Sequence, residues 1–136
     1  MNDAFFLLIL PTRTLTIHLG TYRQCAGLSL RGSCASSADA AHLLQTVHQL
    51  LARHPSQAWI DIQQLHSLSQ LGQQAMLRAS AASQQAGTQL HWCGPSAELR
   101  HELHASGLEA QLALHPAASY EGPRFLLPTQ LTPSRD

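Results

Sequence analysis

The chain contains no lysine, and its eight arginines, from Arg13 to Arg135, are spread along the sequence without a cluster. Eight acidic residues balance them to a formal charge of zero. That leaves no electrostatic footprint for a nucleic-acid backbone or an anionic membrane, and the all-arginine usage reads as coding bias. Cysteine is also scarce. Cys25, Cys34 and Cys93 are odd in number and form no Cys-x-x-Cys pair, which argues against a disulfide framework or a thiolate zinc site and fits reduced thiols in a cytoplasm. Long apolar runs are missing: "FFLLIL", residues 5–10, is about a third of a bilayer span and lacks the basic flank and small-residue cleavage site of a signal peptide, so it reads as a strand. No Gly-x-Ser-x-Gly elbow and no glycine-rich phosphate loop occur, so nucleophilic catalysis and nucleotide hydrolysis have no support.

What is present is an alternation of periods within 136 residues, a length suited to one domain. "TLTIHL" and "GLSLRG" predict short strands joined by a turn. From Asp39 to Arg53 the period changes: Leu43, Leu44, Val47, Leu50 and Leu51 share one helical face, Ser36, Ser37 or Asp39 can cap its start, and His54-Pro55 ends it. "AWIDI" predicts a strand buried on both faces. A second helix is expected over residues 72–86, with Leu71, Ala75, Ala79, Ala82 and Ala86 inward and Gly87 as its stop. "TQLHWC" predicts a strand, Gly94-Pro95-Ser96 starts a third helix carrying Leu99 and Leu103 and stopped at Gly107, and "AQLALH" predicts a last strand. The order implies an α/β domain over residues 1–115, with a mixed, mostly parallel central sheet of four to five strands and amphipathic helices packed on it. Residues 116–136 form a tail, extended or partly packed.

Four landmarks within residues 28–108 carry a resemblance. They are "LSLRG", Leu28 to Gly32, ahead of an amphipathic helix; "WIDI" with Asp61; the turn Ser69-Gln70-Leu71-Gly72 opening the next helix; and Gly87, "TQLHW", "GPSAEL" and a helix ending Gly107-Leu108. Together they resemble the STAS family of sulfate-transporter and anti-sigma-factor-antagonist domains. The resemblance implies a partner-binding module without catalysis or cofactor, which docks a kinase-type anti-sigma factor through the turn and the helix after it. It places partner contacts at Ser69, Gln70, Leu71, Gly72, Gln73 and Arg78, with Asp61 supporting the turn. In the family the turn is usually written Asp-Ser-Ser-Gly and its first serine is phosphorylated to end binding. In the register fixed by Gly72 that position holds Gln70, which cannot accept a phosphate, so the resemblance implies a docking surface without its switch. Ser69, one residue earlier, is the candidate phosphoacceptor, with an ordinary N-cap as its alternative role.

A neutral, hydrogen-bonding surface on the second helix, Gln73, Gln74, Ser80, Ser83, Gln84 and Gln85 around Arg78, is consistent with burial against a protein. The alternative partner is the ATPase of a lipid-transport ABC system, to which the chain would be an accessory subunit. Nine histidines raise a metal reading from His91, Cys93, His101 and His104, but "HELH" misses the His-Glu-x-x-His spacing and surface histidines are the simpler account, so no metal site is assigned. The chain is expected to be a cytoplasmic monomer or weak dimer. In the tail, Phe125, Leu126 and Leu127 either pack back on the domain or form a separate docking peptide.

Overall fold

Threonine and apolar residues alternating after Thr14 produce an antiparallel hairpin in a computed structural model that describes residues 14–23 and 25–127. Strand β1, Leu15–Tyr22, pairs with β2, Cys25–Cys34, from Leu15↔Gly32 to Tyr22↔Cys25. The strand expected over residues 5–10 lies outside the described residues. Helix α1, Ser37–Leu51, begins on a capping box: the Ser36 hydroxyl accepts the Asp39 N–H while the Asp39 carboxylate accepts the Ser36 N–H. Strand β3, Gln57–Leu68, helix α2, Gln70–Gln85, strand β4, Gln89–Cys93, helix α3, Ala97–Ala105, and strand β5, Leu114–His115, follow. The strands lie in the order β1-β2-β3-β4-β5, with every pair after the hairpin parallel, so the expected α/β class and mixed, mostly parallel sheet are found, with five strands. Helices α2 and α3 give way to Gly87 at φ +79° and Gly107 at φ +81°, left-handed positions that favour glycine.

Alternation along the strands separates two apolar layers. Leu28 and Leu30 of β2, Ala58, Ile60 and Ile62 of β3, and Leu90 and Trp92 of β4 join the inward residues of all three helices in the main core. Trp59 and Cys93, on the opposite face, pack with Tyr120 from the chain beyond β5. There the Tyr120 hydroxyl donates to Pro123 O at 3.1 Å, Arg31 Nη2 donates to Leu126 O at 2.7 Å, and Leu126 is buried, whereas Phe125 stays 66% exposed. Residues 117–127 thus lie over the sheet face that the helices leave free.

Three local expectations are corrected. Strand β3 runs six residues past Ile62, because its pairing with β2 slips twice: Ser29 faces Asp61 but Arg31 faces Gln64, and Gly32 faces Leu65 but Ser33 faces Ser67. Each slip inserts a residue into β3, so Ile62, Leu65 and Leu68 turn inward at every third position and the alternation that marks a strand is lost. "AQLALH" is mostly not a strand; Leu108–Gln111 is a 3-10 turn, and only Leu114–His115 pairs with β4. Leu108 and Leu112 are both buried in the main core, a spacing that suits a turn better than an alternating strand. Finally, α2 is rotated from its expected orientation. Gly72, Ala75, Met76, Ala79 and Ser83 face inward, Leu71 is exposed, and Ser83 leaves the proposed outer surface to donate to Ser80 O at 2.8 Å.

Candidate functional site

The ends of β2 and β3 lie side by side, Cys34 against Leu68, and only Ser69 separates β3 from α2. Ser69 is fixed by four hydrogen bonds, one of them from Gln73 N to its carbonyl oxygen at 2.9 Å. Its N–H donates to Cys34 O at 3.0 Å, its hydroxyl donates to the same oxygen at 3.4 Å, and that hydroxyl accepts the Gly72 N–H at 3.3 Å as the N-cap of α2. One residue pair earlier on the same two strands, Ser67 Oγ donates to Ser33 Oγ at 2.9 Å. Gly72 closes the corner: a Cβ there would lie 2.4 Å from Cys34 O and 2.7 Å from Leu68 Cδ1, so the first turn of α2 can approach the end of β2 only without a side chain. Gly72→Ala must push the helix outward and is expected to cost about 1–3 kcal/mol, read as a lower urea midpoint with unchanged slope. A midpoint equal to wild type would show that the close approach is dispensable.

Asp39 is the residue that sequence reasoning undervalued. It is fully buried, and its carboxylate accepts from Thr14 N, Thr14 Oγ1, Leu15 N, Ala35 N and Ser36 N at 2.9–3.3 Å. Burial pushes its pKa upward, but the hydrogen bonds from Ala35, Thr14 and Leu15 outweigh that and hold it below the ordinary carboxylate value. Asp39 thereby ties the start of β1 and the exit of β2 to the first turn of α1, beside Cys34. Burial, reinforced by the nearby Asp39 charge, pushes the Cys34 thiol up to about 11, so it is a packed apolar group and not a nucleophile. The signal was present as Ser-x-x-Asp at residues 36–39, the spacing of a capping box.

The other expected site residues fall as follows. Gln70, Leu71 and Arg78 are exposed, Gln73 is half-buried and Gly72 is buried. Leu71 and Leu77, 47% and 36% exposed, are two of the five exposed large hydrophobics of the described residues. With Gln70, Gln74 and Ala81 they make the outer surface of α2, where Arg78 is the one charge on the helix. Asp61 sits within β3, eight positions before Ser69, fully buried; it accepts from Ser29 Oγ at 2.9 Å and Gln63 Nε2 at 2.8 Å, on the sheet face away from the helices.

The metal candidates are dispersed. His101 and His104 are exposed on α3, and His104 Nδ1 pairs with Glu109 at 2.8 Å. His91 stacks on Trp59, with centroids 4.1 Å apart, and its Nδ1 faces His115 Nε2 at 2.9 Å. Burial, then the Asp61 and Glu121 charges, push the Cys93 thiol up to about 12. Among the described residues no group of three or more His, Cys, Asp or Glu is placed to hold a metal ion, and no helix is long and apolar enough to cross a membrane.

The chain that builds this capped helix from the ends of parallel strands is matched over residues 17–116 by a family model described as Mlab, STAS domain. The chain belongs to the STAS domain family. No curated protein sequence matches it. Among solved structures, the anti-sigma factor antagonist SpoIIAA in its unphosphorylated form is similar at a TM-score of 0.64 and 13% identity, covering 76% of this chain and 90% of that one. An anti-sigma factor antagonist from Mycobacterium paratuberculosis is similar at 0.60 and 20% identity, covering 74% of this chain and 85% of that one. At such identities the likeness establishes the STAS fold. Within this STAS domain, the turn at residues 69–72 is the junction at which β3 passes into α2.

Proposed function

We propose that this STAS domain is a non-catalytic docking module of the cytoplasm, resembling an anti-sigma factor antagonist, which binds a kinase-like ATPase through Ser69, Gln70, Leu71, Gly72, Gln73 and Arg78. The observation that carries this reading is the outer surface of α2: Leu71 and Leu77 are exposed on a helix with one charge, anchored at a corner fixed by Ser69 and Gly72. Apolar side chains on a weakly charged, preorganised face suit the centre of a protein interface. Affinity capture from the source cell tests it. Wild-type chain should recover an ATPase of the anti-sigma kinase type, and capture unaffected by Leu71→Asp contradicts docking at this corner.

Docking here does not depend on a phosphate. Gln70, at the first position of α2, has no hydroxyl, and the Ser69 hydroxyl is engaged with Gly72 N and Cys34 O. Incubation with the captured kinase and ATP, followed by mass spectrometry of the peptide spanning residues 54–78, is expected to show no phosphate at Ser69. Stoichiometric labelling there would restore the switch. The same absence of a phosphoacceptor at Gln70 favours the second reading, an accessory subunit on the ATPase of a lipid-transport ABC system, because that docking needs no phosphorylation. Recovery of an ABC ATPase with its permease would select it.

A further inference from the structure

Two of the nine histidines, 24 residues apart in sequence, meet in the fold. His91 lies in β4, and His115 ends β5, the two-residue strand whose ladder partners are Trp92 and Cys93. His91 Nδ1 and His115 Nε2 are 2.9 Å apart, with ring centroids at 4.9 Å and planes tilted by 56°. Both residues are half-buried. The His91 ring is also stacked on Trp59, 21° from parallel, and its Nε2 lies 3.1 Å from Gln57 Oε1. Trp59 in turn meets the Tyr120 ring edge-on at 6.4 Å. The imidazole pair therefore joins β3, β4 and β5 where the chain leaves the sheet at Pro116 and starts across its face as residues 117–127.

A nitrogen–nitrogen hydrogen bond needs one N–H and one lone pair. Gln57 Oε1 only accepts, so His91 Nε2 carries a hydrogen, and in the neutral ring Nδ1 is the lone pair that accepts from His115 Nε2. One further proton fits on His115 Nδ1 without disturbing the contact. A proton on His91 Nδ1 does not fit: it sets two N–H groups head to head and, with His115 also charged, two cations side by side. Burial and then the His115 charge hold the His91 pKa below the ordinary histidine value, and Glu121 only partly offsets them.

The other ionisable groups around the pair are few. Glu121 belongs to the crossing segment and is exposed, and Arg23 lines the same opening as Gln57, Trp59 and Glu121. Asp61 of β3 is held by Ser29 and Gln63. Burial keeps the Cys93 thiol neutral, its pKa pushed up to about 12, and raises the Tyr120 phenol as well. The helices pack on the other face. Trp59, Cys93 and Tyr120 form an apolar layer separate from the main core, so the segment over it can lift while that core stays packed.

We propose that the His91–His115 pair is a proton-operated latch on residues 117–127. It is closed while the pair carries at most one extra proton. It opens when both imidazoles are charged, which releases β5 and the start of the segment from the sheet and uncovers Trp59. The closed state binds fewer protons than the open one, so closure is favoured as pH rises and is lost as pH falls from about 6.5, the ordinary histidine value, through the lower folded value.

Residue-resolved amide hydrogen exchange of the full chain at about pH 7.5 and about pH 5.5, corrected for the intrinsic rate at each pH, tests the latch. The Trp92 and Gly94 amides, which donate to Ala113 O and His115 O, and the Tyr120 amide are expected to lose protection by about tenfold or more at the lower pH. Leu50 and Ile60, in the main core, should keep theirs. His115→Gln is expected to abolish the difference, because a glutamine amide can turn either its N–H or its oxygen towards His91 and so match both protonation states. Melting at the higher pH confirms that this variant is folded, and the wild-type comparison is independent of it. His101→Gln, exposed on α3, should respond as wild type does. Equal protection at both pH values, an equal loss at Leu50 and Ile60, an unchanged response in His115→Gln, or a lost response in His101→Gln each overturns the proposal.

Discussion

Replacing Asp39 by alanine is expected to lower the stability of the fold by about 3–5 kcal/mol, a large fraction of the roughly 5–15 kcal/mol that holds such a domain together. The carboxylate is fully buried, and its removal takes the acceptor from the buried Leu15 N–H and from the more accessible Thr14 and Ala35 N–H groups, and opens the capping box at Ser36. The Leu15 donor, buried without an acceptor, carries its full desolvation penalty, and the loss of the capping box and of the tie between β1 and α1 adds to it. The pH dependence has a definite sign. Asp39 titrates lower in the folded chain than the ordinary value of about 3.9, so the charged form contributes its stability above that value and loses it as pH falls through the folded pKa. Urea denaturation across pH should therefore show wild type well above Asp39→Asn at neutral pH, with the gap closing below about pH 4. A gap that is constant with pH, or an alanine variant within about 0.5 kcal/mol of wild type, would remove Asp39 from the account of the corner.

The second large effect is on binding. Leu71→Asp with Leu77→Asp is expected to abolish capture of the ATPase partner while changing stability by no more than about 0.5 kcal/mol, since both side chains are substantially exposed. Each leucine, buried at the centre of an interface, is worth about 2 kcal/mol, so losing both weakens binding by roughly a thousandfold. The added charges then face a desolvated apolar surface, which deepens the loss. Calorimetry or surface binding with the purified partner measures it, and circular dichroism and melting confirm the fold. Equal affinity would place the interface elsewhere.

Much of this was legible in the residues because local rules and the fold agree. The capped, one-faced apolar pattern of α1 gave a helix at Ser37–Leu51, and the glycines at 87 and 107 stop helices as their position suggests. The turn at Ser69–Gly72 falls at the strand-to-helix junction because serine caps and glycine permits close approach, both readable from residue type. Legibility failed where tertiary pairing overrode periodicity. The slips in β3 destroyed its alternation, so the strand expected over "AWIDI" stops at Ile62 although its pairing continues to Leu68. On α2, alanine gives little contrast between faces: Ala75 and Ala79 face inward as expected, but Met76 and Ser83 are buried with them and Leu71 turns outward, so the face is rotated from the alanine stripe. Asp39 looked like one of several capping residues. Its contacts with Thr14 and Leu15, far apart from it in sequence, exist only once β1 is laid against α1.

Hydrogen exchange on the complex with the captured ATPase is the most direct test of the docking account. Amides of residues 69–78 should exchange more slowly in the complex than in the free chain, with the sheet face under residues 117–127 unchanged. Protection confined to β1 or to residues 117–127, with residues 69–78 exchanging as in the free chain, would contradict it.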